Sequence, residues 1–233
     1  MKTILIMPVK DIGEEIIETI DNIKSSAGNV DYLLIDYGAD DRTKHLLKNN
    51  NFQRLIIPIE STYDNALKLG IKYAYENKYD NLIEFNPVKG FDLTDISYFT
   101  KTMAFKKVDL LIGSRFVEEK APHKLRYFYT RLLKYAIGFI SFRKVTDANI
   151  DLRMINRRTM KALMDTNESI TPSSVTYLIR SKHSFIELQI KVKNKKSRQA
   201  KFKGLKLAKY IWHQILLILF VQPFKRKGNT KNV

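Results

Sequence analysis

The sequence of 233 residues contains no cysteine. This absence excludes a disulfide framework and any metal site built on thiolates, and it fits a reducing compartment. Glycine-rich phosphate loops are missing as well: no Gly-x-Gly-x-x-Gly follows the first apolar segment, and no Gly-x-x-x-x-Gly-Lys occurs anywhere. Because such loops cradle the phosphates in dinucleotide-binding and P-loop proteins, the sequence predicts neither class.

A long hydrophobic run is absent from the start of the chain. The opening segment "MKTILIMPVKDIGEE" has a short apolar run before charge returns. It predicts a first buried strand and not a signal peptide, and therefore a protein of the cytosol.

The positive charge is concentrated at one end of the chain. The formal net charge is +17, yet residues 191–233 hold 13 Lys and Arg and no Asp or Glu, while the preceding part holds 28 basic and 24 acidic residues. A basic tail of this kind suits an anionic partner, either nucleic acid or the inner face of a membrane.

Hydrophobic periodicity alternates between strand-like and helix-like segments over the first half of the chain. Short apolar runs such as "TILIMPV", "YLLIDYG" and "DLLIGSRF" are separated by amphipathic stretches such as "EEIIETIDNIKSS". The pattern predicts an α/β fold with a mostly parallel sheet that is covered by helices on both faces. A ligand of such a sheet binds beyond the carboxyl ends of the strands.

Polar residues stand where the predicted strands end: Pro8-Val9-Lys10-Asp11, Asp36-Tyr37-Gly38, Glu60-Ser61, Glu84-Phe85-Asn86 and Gly113-Ser114-Arg115. Each could be only a helix cap or a turn residue. Several carboxylates at neighbouring strand ends would repel one another unless a cation or sugar hydroxyls satisfied them, so together they predict a site.

The order of these segments resembles the family 2 glycosyltransferases of the GT-A (Rossmann-like) fold, including dolichyl-phosphate mannose synthase and bacterial polyprenyl-phosphate sugar transferases. The segments that carry the resemblance are "LLIDYGADDRT", "DLLIGSRF", "VTDANIDLRMINRRTMKAL" and "IELQIKVKNKKSRQAKFKG". Each motif alone is weak, and their order and spacing favour the family.

The resemblance implies a nucleotide-sugar donor and a divalent ion, Mg²⁺ or Mn²⁺, on its diphosphate. The residues that it assigns to the nucleotide-sugar are Pro8, Val9, Asp11, Asp36, Tyr37, Glu60 and Asn86. It assigns the metal to Glu84 and Asn86, and Glu84 is expected to be catalytic. The segment departs from the family, because Glu84-Phe85-Asn86 replaces Asp-x-Asp and Asp151 replaces a glycine, so weaker metal binding is expected.

A second group of predicted site residues is cationic and aromatic. Arg115 and Arg131 are expected to act on phosphate in catalysis, because Arg binds phosphate oxygens two at a time. The acceptor or its phosphate is assigned to Arg126, Asp147, Arg153, Arg198 and Lys203. A solvated helix face is the alternative, and it is favoured for Lys124 and Lys134. The sequence offers no convincing general base, which fits a phosphate acceptor and equally an inactive homologue.

The sequence divides into a GT-A-like domain, residues 1–202, and a basic amphipathic tail, residues 203–233. Residues 210–221 form an apolar stretch of twelve, whereas a bilayer requires about 20. We therefore predict a helix lying on the cytoplasmic face of the cell membrane, with a peripheral attachment. A helix packed on the domain is the alternative, and nucleic acid is an unfavoured partner because no recognition signature is present.

Two functions follow from these features. The first is a transferase that moves a sugar from a nucleotide-sugar to a polyprenyl phosphate or a cell-surface glycan. The second is a non-catalytic homologue that serves as a membrane-bound scaffold for glycan assembly, with a membrane protein as its partner. The departures at Tyr37, Glu60 and Asn86 motivate the second.

Overall fold

The computed structural model describes residues 1–26, 30–118, 127–192 and 204–225. Its strands are β1 (Thr3–Val9), β2 (Val30–Asp36), β3 (Arg54–Ile56), β4 (Asn81–Phe85), β5 (Leu110–Ser114), β6 (Leu152–Asn156) and β7 (Phe185–Gln189). Its α-helices are α1 (Glu15–Ser26), α2 (Asp41–Asn49), α3 (Tyr63–Glu76), α4 (Thr94–Lys106), α5 (Phe128–Ser141), α6 (Arg157–Asp165), α7 (Pro172–Arg180) and α8 (Gly204–Leu216). A π-helical turn, Leu217–Val221, and a 3₁₀ turn, Gln222–Phe224, continue α8.

The seven strands form one sheet in the order β3-β2-β1-β4-β6-β5-β7. Only β6 runs against its neighbours: it pairs antiparallel with both β4 and β5, while the other pairs are parallel. The ends of the parallel strands and the start of β6 therefore meet at one border of the sheet, which we call the carboxyl edge. The predicted mostly parallel α/β sheet is confirmed.

The core forms because the central strands are apolar on both sides. All seven residues of β1 are buried, as are all five of β4. Helix α3 approaches this part of the sheet through Gly70, where an added Cβ would lie 2.5 Å from Cγ2 of Ile6. A side chain at this position would push the helix off the sheet, so glycine sets the distance between the two layers.

Polar caps fix where the helices begin after the strands. Asp40 accepts a hydrogen bond from the backbone N–H of Thr43 at the start of α2, and Thr62 accepts one from Asn65 at the start of α3. Asn156 caps α6 in the same way through Thr159. Because each cap satisfies otherwise unpaired N–H groups, the three helices begin at defined residues.

The sequence pattern did not reveal β6 as a strand. Its five residues, LRMIN, carry an arginine in the middle, and they lie within a segment whose pattern continues into helix α6. Tertiary pairing with β4 and β5 on both sides decides the conformation here.

Helix α8 packs against α5 and α7. Leu207–Phe224 forms 18 helical residues with a mean hydropathy of 1.2, so by length and composition this helix is long enough to cross a membrane. The helix thus extends beyond the predicted apolar stretch, residues 210–221, at both ends. Gln214 and Gln222 are nevertheless buried on α7, where Gln214 accepts from the N–H of Ser173 and Gln222 donates to its hydroxyl. These contacts hold one face of the helix on the domain.

Candidate functional site

The first part of the carboxyl edge is the turn after β2. Asp36 ends the strand, and one of its carboxylate oxygens accepts hydrogen bonds from the N–H groups of Gly38 at 3.1 Å and Ala39 at 2.8 Å. Gly38 has a φ of 115°, a conformation that favours glycine, and an added Cβ would lie 3.2 Å from Cγ of Glu60. Asp36 therefore shapes the turn that follows it.

The predicted nucleotide residues converge on this turn. Val9 of β1 is in register with Asp36, and its carbonyl accepts from the N–H of Tyr37. Pro8 precedes Val9 in the same strand. The backbone of Asp11 has a φ of 45°, and its carboxylate accepts a hydrogen bond from the N–H of Asp40 at 2.8 Å. The structure thus brings one side of the predicted site together.

An exposed ion pair borders this turn. The ammonium of Lys10 lies 2.6 Å from the carboxylate of Glu60. This hydrogen bond raises the pKa of Lys10 and lowers the pKa of Glu60. The pair places one cation and one anion beside the predicted nucleotide residues, and both remain open to solvent.

Glu84 lies elsewhere than the sequence predicts. Its side chain is 0% exposed, and its carboxylate accepts from the guanidinium of Arg153 at 2.8 Å and from the hydroxyl of Tyr63 at 3.0 Å. The two residues are directly opposite in the antiparallel pair of β4 and β6. This placement disagrees with the expected catalytic and metal-binding roles of Glu84, because the carboxylate faces a buried cation and not the open edge.

Arg153 is correspondingly misplaced for the predicted contact with the acceptor. It is 2% exposed and also donates to the carbonyls of Ile170 at 2.7 Å and Ala148 at 2.9 Å. Burial tends to lower the pKa of Arg153, but the charges of Glu84 and Asp151, with smaller contributions from Tyr210 and Tyr63, together raise it. Burial, followed by the charge of Glu84, raises the pKa of Tyr63 well above its usual value. The three groups form a charge-compensated interior cluster.

The carboxylate nearest to the carboxyl edge is instead that of Asp151, although Asp151 and Asn86 are each only 5% exposed. Asn86 donates to this carboxylate at 3.1 Å and accepts from the N–H of Val88 at 3.3 Å. The ammonium of Lys89 lies 3.7 Å from the same Asp151 oxygen, and its side chain is 31% exposed. Asp151 immediately precedes β6, which starts at this edge because it runs antiparallel.

The fit of a divalent ion can be judged from these oxygens. Among the residues that the structure describes, no group of three or more His, Cys, Asp and Glu side chains is arranged to hold a metal. Asp151 and Asn86 offer one carboxylate and one amide side by side. Mg²⁺ in phosphate-transfer sites is commonly held by one or two carboxylates together with the substrate's phosphates. The edge therefore fits an ion that arrives on a diphosphate, and it does not form an all-protein metal cage.

The second part of the edge is a forked ion pair after β5. Arg115 donates through Nε to one oxygen of Asp147 at 2.7 Å and through Nη2 to the other at 2.9 Å. Burial tends to lower the pKa of Arg115, but the charge of Asp147 and its hydrogen bond, with smaller contributions from Tyr127 and Asp151, together raise it. The carboxylate is closed to solvent while the arginine side chain is 32% exposed, so the guanidinium is held in one orientation at the edge.

Glu187 of β7 binds the backbone of the segment that carries Asp147. Its carboxylate accepts from the N–H groups of Thr146 at 2.7 Å and Asp147 at 3.2 Å. Burial raises the pKa of Glu187, although the hydrogen bonds from Thr146 oppose the rise. The sequence prediction did not include Glu187. Its only signal is an acidic residue between the apolar residues Ile186 and Leu188 of the strand FIELQ.

Aromatic rings lie beside the fork. The guanidinium of Arg115 lies 5.1 Å from the ring centre of Phe116 and 5.8 Å from that of Tyr127. Arg131 follows one turn later on α5 and is half-buried. The predicted residues Arg126, Arg198 and Lys203 lie outside the described residues.

Neither the protein-family models nor the curated proteins contain a match to this sequence. Solved structures do match over 97% of the chain. One is glucosyl-3-phosphoglycerate synthase from Mycobacterium tuberculosis in complex with Mn²⁺, uridine diphosphate and phosphoglyceric acid, with a TM-score of 0.70, 11% identity and 80% of that chain covered. For the same synthase with Mn²⁺, uridine diphosphate and glucosyl-3-phosphoglycerate, the TM-score is 0.65 and the identity is 12%, with 81% of that chain covered. For a further mycobacterial protein, the TM-score is 0.67 and the identity is 13%, with 76% of that chain covered. The chain therefore has the fold of the GT-A-type glycosyltransferases.

Proposed function

We propose that this protein transfers a sugar from a nucleoside-diphosphate sugar to an acceptor that carries a phosphate. The observation that carries the proposal is the carboxyl edge, where the Asp36 turn and the Arg115–Asp147 fork stand on either side of Asn86 and Asp151. A nucleotide site and an anion site at one sheet edge are what such a transfer requires. The uridine diphosphate and phosphoglyceric acid in the similar synthase structure support both halves of the proposal.

The nucleotide half lies at the turn after β2. Asp36, Tyr37 and the loop of Lys10 and Asp11 would receive the nucleoside, and the Lys10–Glu60 pair would open to admit it. Water screens this exposed ion pair, so its opening costs little stability.

The diphosphate half lies at Asn86, Lys89 and Asp151. A divalent ion bound there would neutralise the charge that develops on the leaving nucleoside diphosphate. Asp151 would hold that ion, with Asn86 as a neutral oxygen ligand, and the ammonium of Lys89 would add positive charge beside it. This assignment replaces Glu84 as the metal ligand.

The acceptor half lies at Arg115 and Arg131. A polyprenyl phosphate is our preferred acceptor because its phosphate is largely ionised near neutral pH and attacks without a dedicated general base. The guanidinium of Arg115, already oriented by Asp147, would receive the phosphate oxygens. The basic tail, residues 203–233, would keep the protein on the cytoplasmic face of the membrane that holds such a lipid.

Binding of the donor tests the proposal directly. UDP- and GDP-sugars, each with and without Mn²⁺, should be titrated calorimetrically against the wild-type protein, Asp36→Ala and Asp151→Asn. We expect Mn²⁺-dependent heat with one nucleotide class, lost in Asp36→Ala and reduced at least tenfold in affinity in Asp151→Asn. No heat with any donor would refute the proposal.

A scaffold without catalytic activity is the second candidate function. The observation that favours it is the buried Glu84–Arg153 pair, which occupies the position where the family places its first metal carboxylate. This candidate predicts protein partners but no sugar transfer. Detection of transfer that depends on Asp36 would refute it.

A further inference from the structure

Helix α5 carries a stripe of apolar side chains that face away from the core. Phe128, Tyr135 and Phe139 are exposed, with Phe142 following at the C-cap of the helix, where it is 92% exposed. Their spacing of seven, four and three residues places them on one side of the helix. The opposite side, with Leu133 and Ile137 among others, is buried.

Helix α8 and its continuation repeat this arrangement. Leu205, Trp212, Leu216 and Phe220 are exposed, again at spacings of seven and four residues, and Phe224 lies beyond them. The opposite face is buried through Ile211, Ile215 and Ile218. An amphipathic helix of a globular protein normally exposes polar residues to solvent. The exposed face of α8 instead carries large apolar side chains.

The two stripes lie on the same side of the molecule. Helices α5 and α8 pack against each other, and both pack on α7. Helix α7 is buried from Pro172 to Ile179, since the other two helices cover it. Faces of α5 and α8 that point away from the core therefore point away from α7 together. We call the two stripes the α5/α8 surface.

The charged residues of the two segments that form this surface are all basic, and one of them, Lys225, is paired with Glu168. Residues 127–146 and 204–225 contain seven Lys and Arg and no Asp or Glu. Arg143, Lys144 and Lys209 are exposed, and His213 is exposed beside Trp212. A second copy of the same surface would bring equal charges together, whereas an anionic bilayer would bring the opposite charge.

We propose that the α5/α8 surface seats the protein on an anionic lipid bilayer. The aromatic side chains enter the boundary between headgroups and acyl chains, and the basic side chains contact the lipid phosphates. Helix α5, which lies inside the predicted globular domain, is thus half of the membrane contact, and the tail is not the whole of it.

The position of the α5/α8 surface also indicates where a lipid acceptor would enter the site, and this step rests on the proposed function. Helix α5 begins next to Tyr127, whose ring lies beside Arg115. The phosphate of a lipid embedded under α5 would emerge close to the guanidinium that is proposed to bind it. The proposed seating itself requires only the exposed residues and their charge.

Trp212 makes the contact measurable because it is the only tryptophan in the chain. Full-length protein should be mixed with vesicles of phosphatidylcholine alone and with vesicles of equal parts phosphatidylcholine and phosphatidylglycerol, followed by flotation and Trp212 emission. We expect flotation and a blue shift with the anionic vesicles only. The double variant Phe139→Ser/Phe142→Ser should partition at least about tenfold more weakly, since it removes two aromatic side chains from the contact with the bilayer.

Phe105→Ser is the matched control, because Phe105 on α4 is also exposed but lies off the surface. It should float like the wild type. A double variant that floats as well as the wild type would overturn the proposal and leave the tail as the sole contact. Absence of flotation in the wild type would overturn it as well.

Light scattering after size-exclusion chromatography tests the alternative occupant of the α5/α8 surface, a second copy of the protein. A dimer that the same double substitution dissociates would overturn the bilayer in favour of a second copy. Nucleotide titration should be unchanged in the double variant, with an unchanged melting temperature as evidence of folding. Vesicle binding without any nucleotide binding would refute the transferase and leave the α5/α8 surface standing.

Discussion

The guanidinium of Arg153 donates to the carboxylate of Glu84 across 2.8 Å, and both side chains are closed to solvent. Removal of either partner leaves a charge in the interior without its counterion. We expect Glu84→Ala to lower the free energy of unfolding by about 3–5 kcal/mol, measured by urea denaturation.

Glu14→Ala serves as the control for this change, since Glu14 forms an exposed pair with Arg42 at 2.9 Å. It should cost less than about 1 kcal/mol. The double variant Glu84→Leu/Arg153→Met should cost less than the sum of its single changes, because neither charge then remains alone. Additive losses would contradict a coupled pair.

Asn86→Asp tests the proposed ion site. The new carboxylate would lie about as close to Asp151 as the present amide, at 3.1 Å. Two carboxylates at this distance repel, so the melting temperature should fall in EDTA, and each kcal/mol corresponds to about 2–4 °C for a chain of this size. Mn²⁺ should raise it more than in the wild type. Asn22→Asp, on the exposed side of α1, should respond to neither, and an equal Mn²⁺ response in both variants would contradict the site.

Arg115→Lys tests whether the fork matters. Lysine keeps the charge but cannot donate in parallel to both oxygens of Asp147 as Arg115 does. We expect at least a tenfold loss of sugar transfer, about 1.4 kcal/mol, with donor affinity unchanged. Arg158→Lys makes the same substitution in the pair with Asp109, which lies at the start of β5 and away from the carboxyl edge. Transfer should be retained there, and an equal loss in both variants would argue for a general effect on folding.

The architecture of the sheet could be predicted from the sequence because its strands are short, apolar and separated by amphipathic helices. The placement of Asp36 and Tyr37 at this edge followed from the same alternation, because the end of β2 fixes where they lie. The resemblance to GT-A enzymes at the level of fold is supported by the solved structures, while the dolichyl-phosphate mannose synthase type of acceptor stays a prediction.

The environment of Glu84 could not be predicted, because it depends on the strand opposite. A carboxylate near the end of an apolar strand has the same sequence signal whether it faces solvent or a buried arginine. Only the antiparallel register of β6 shows that Arg153 lies across from it. The contributions of Asp151, Lys89 and Glu187 to the candidate site could not be predicted for the same reason, since each depends on a partner distant in sequence.

His183 supplies a pH dependence of stability. It is buried, and within the described residues neither ring nitrogen has a hydrogen-bond partner. Burial, together with the charge of Arg158, lowers its pKa below the usual 6.5. The unfolded chain therefore binds a proton more readily, so this residue's contribution is full above pH 6.5 and is lost as the pH falls toward the depressed value.

We expect His183→Leu to flatten the dependence of the melting temperature on pH between neutrality and about pH 5. His45→Leu, at the exposed surface of α2, is the control and should leave that dependence unchanged. Identical profiles for His183→Leu and the wild type would show that the buried ring does not contribute.

The reversed direction of β6 has a consequence for how this edge tolerates change. A parallel strand brings the residues after it to the edge, whereas β6 brings the residues before it. Positions 86 and 151 are therefore neighbours although they are 65 positions apart in the sequence. A negative charge lost from one loop can be restored from the other without altering either strand. A linear motif such as Asp-x-Asp describes only one of these two loops. A chain that carries the carboxylate on the other loop retains the same local electrostatics with a different sequence motif.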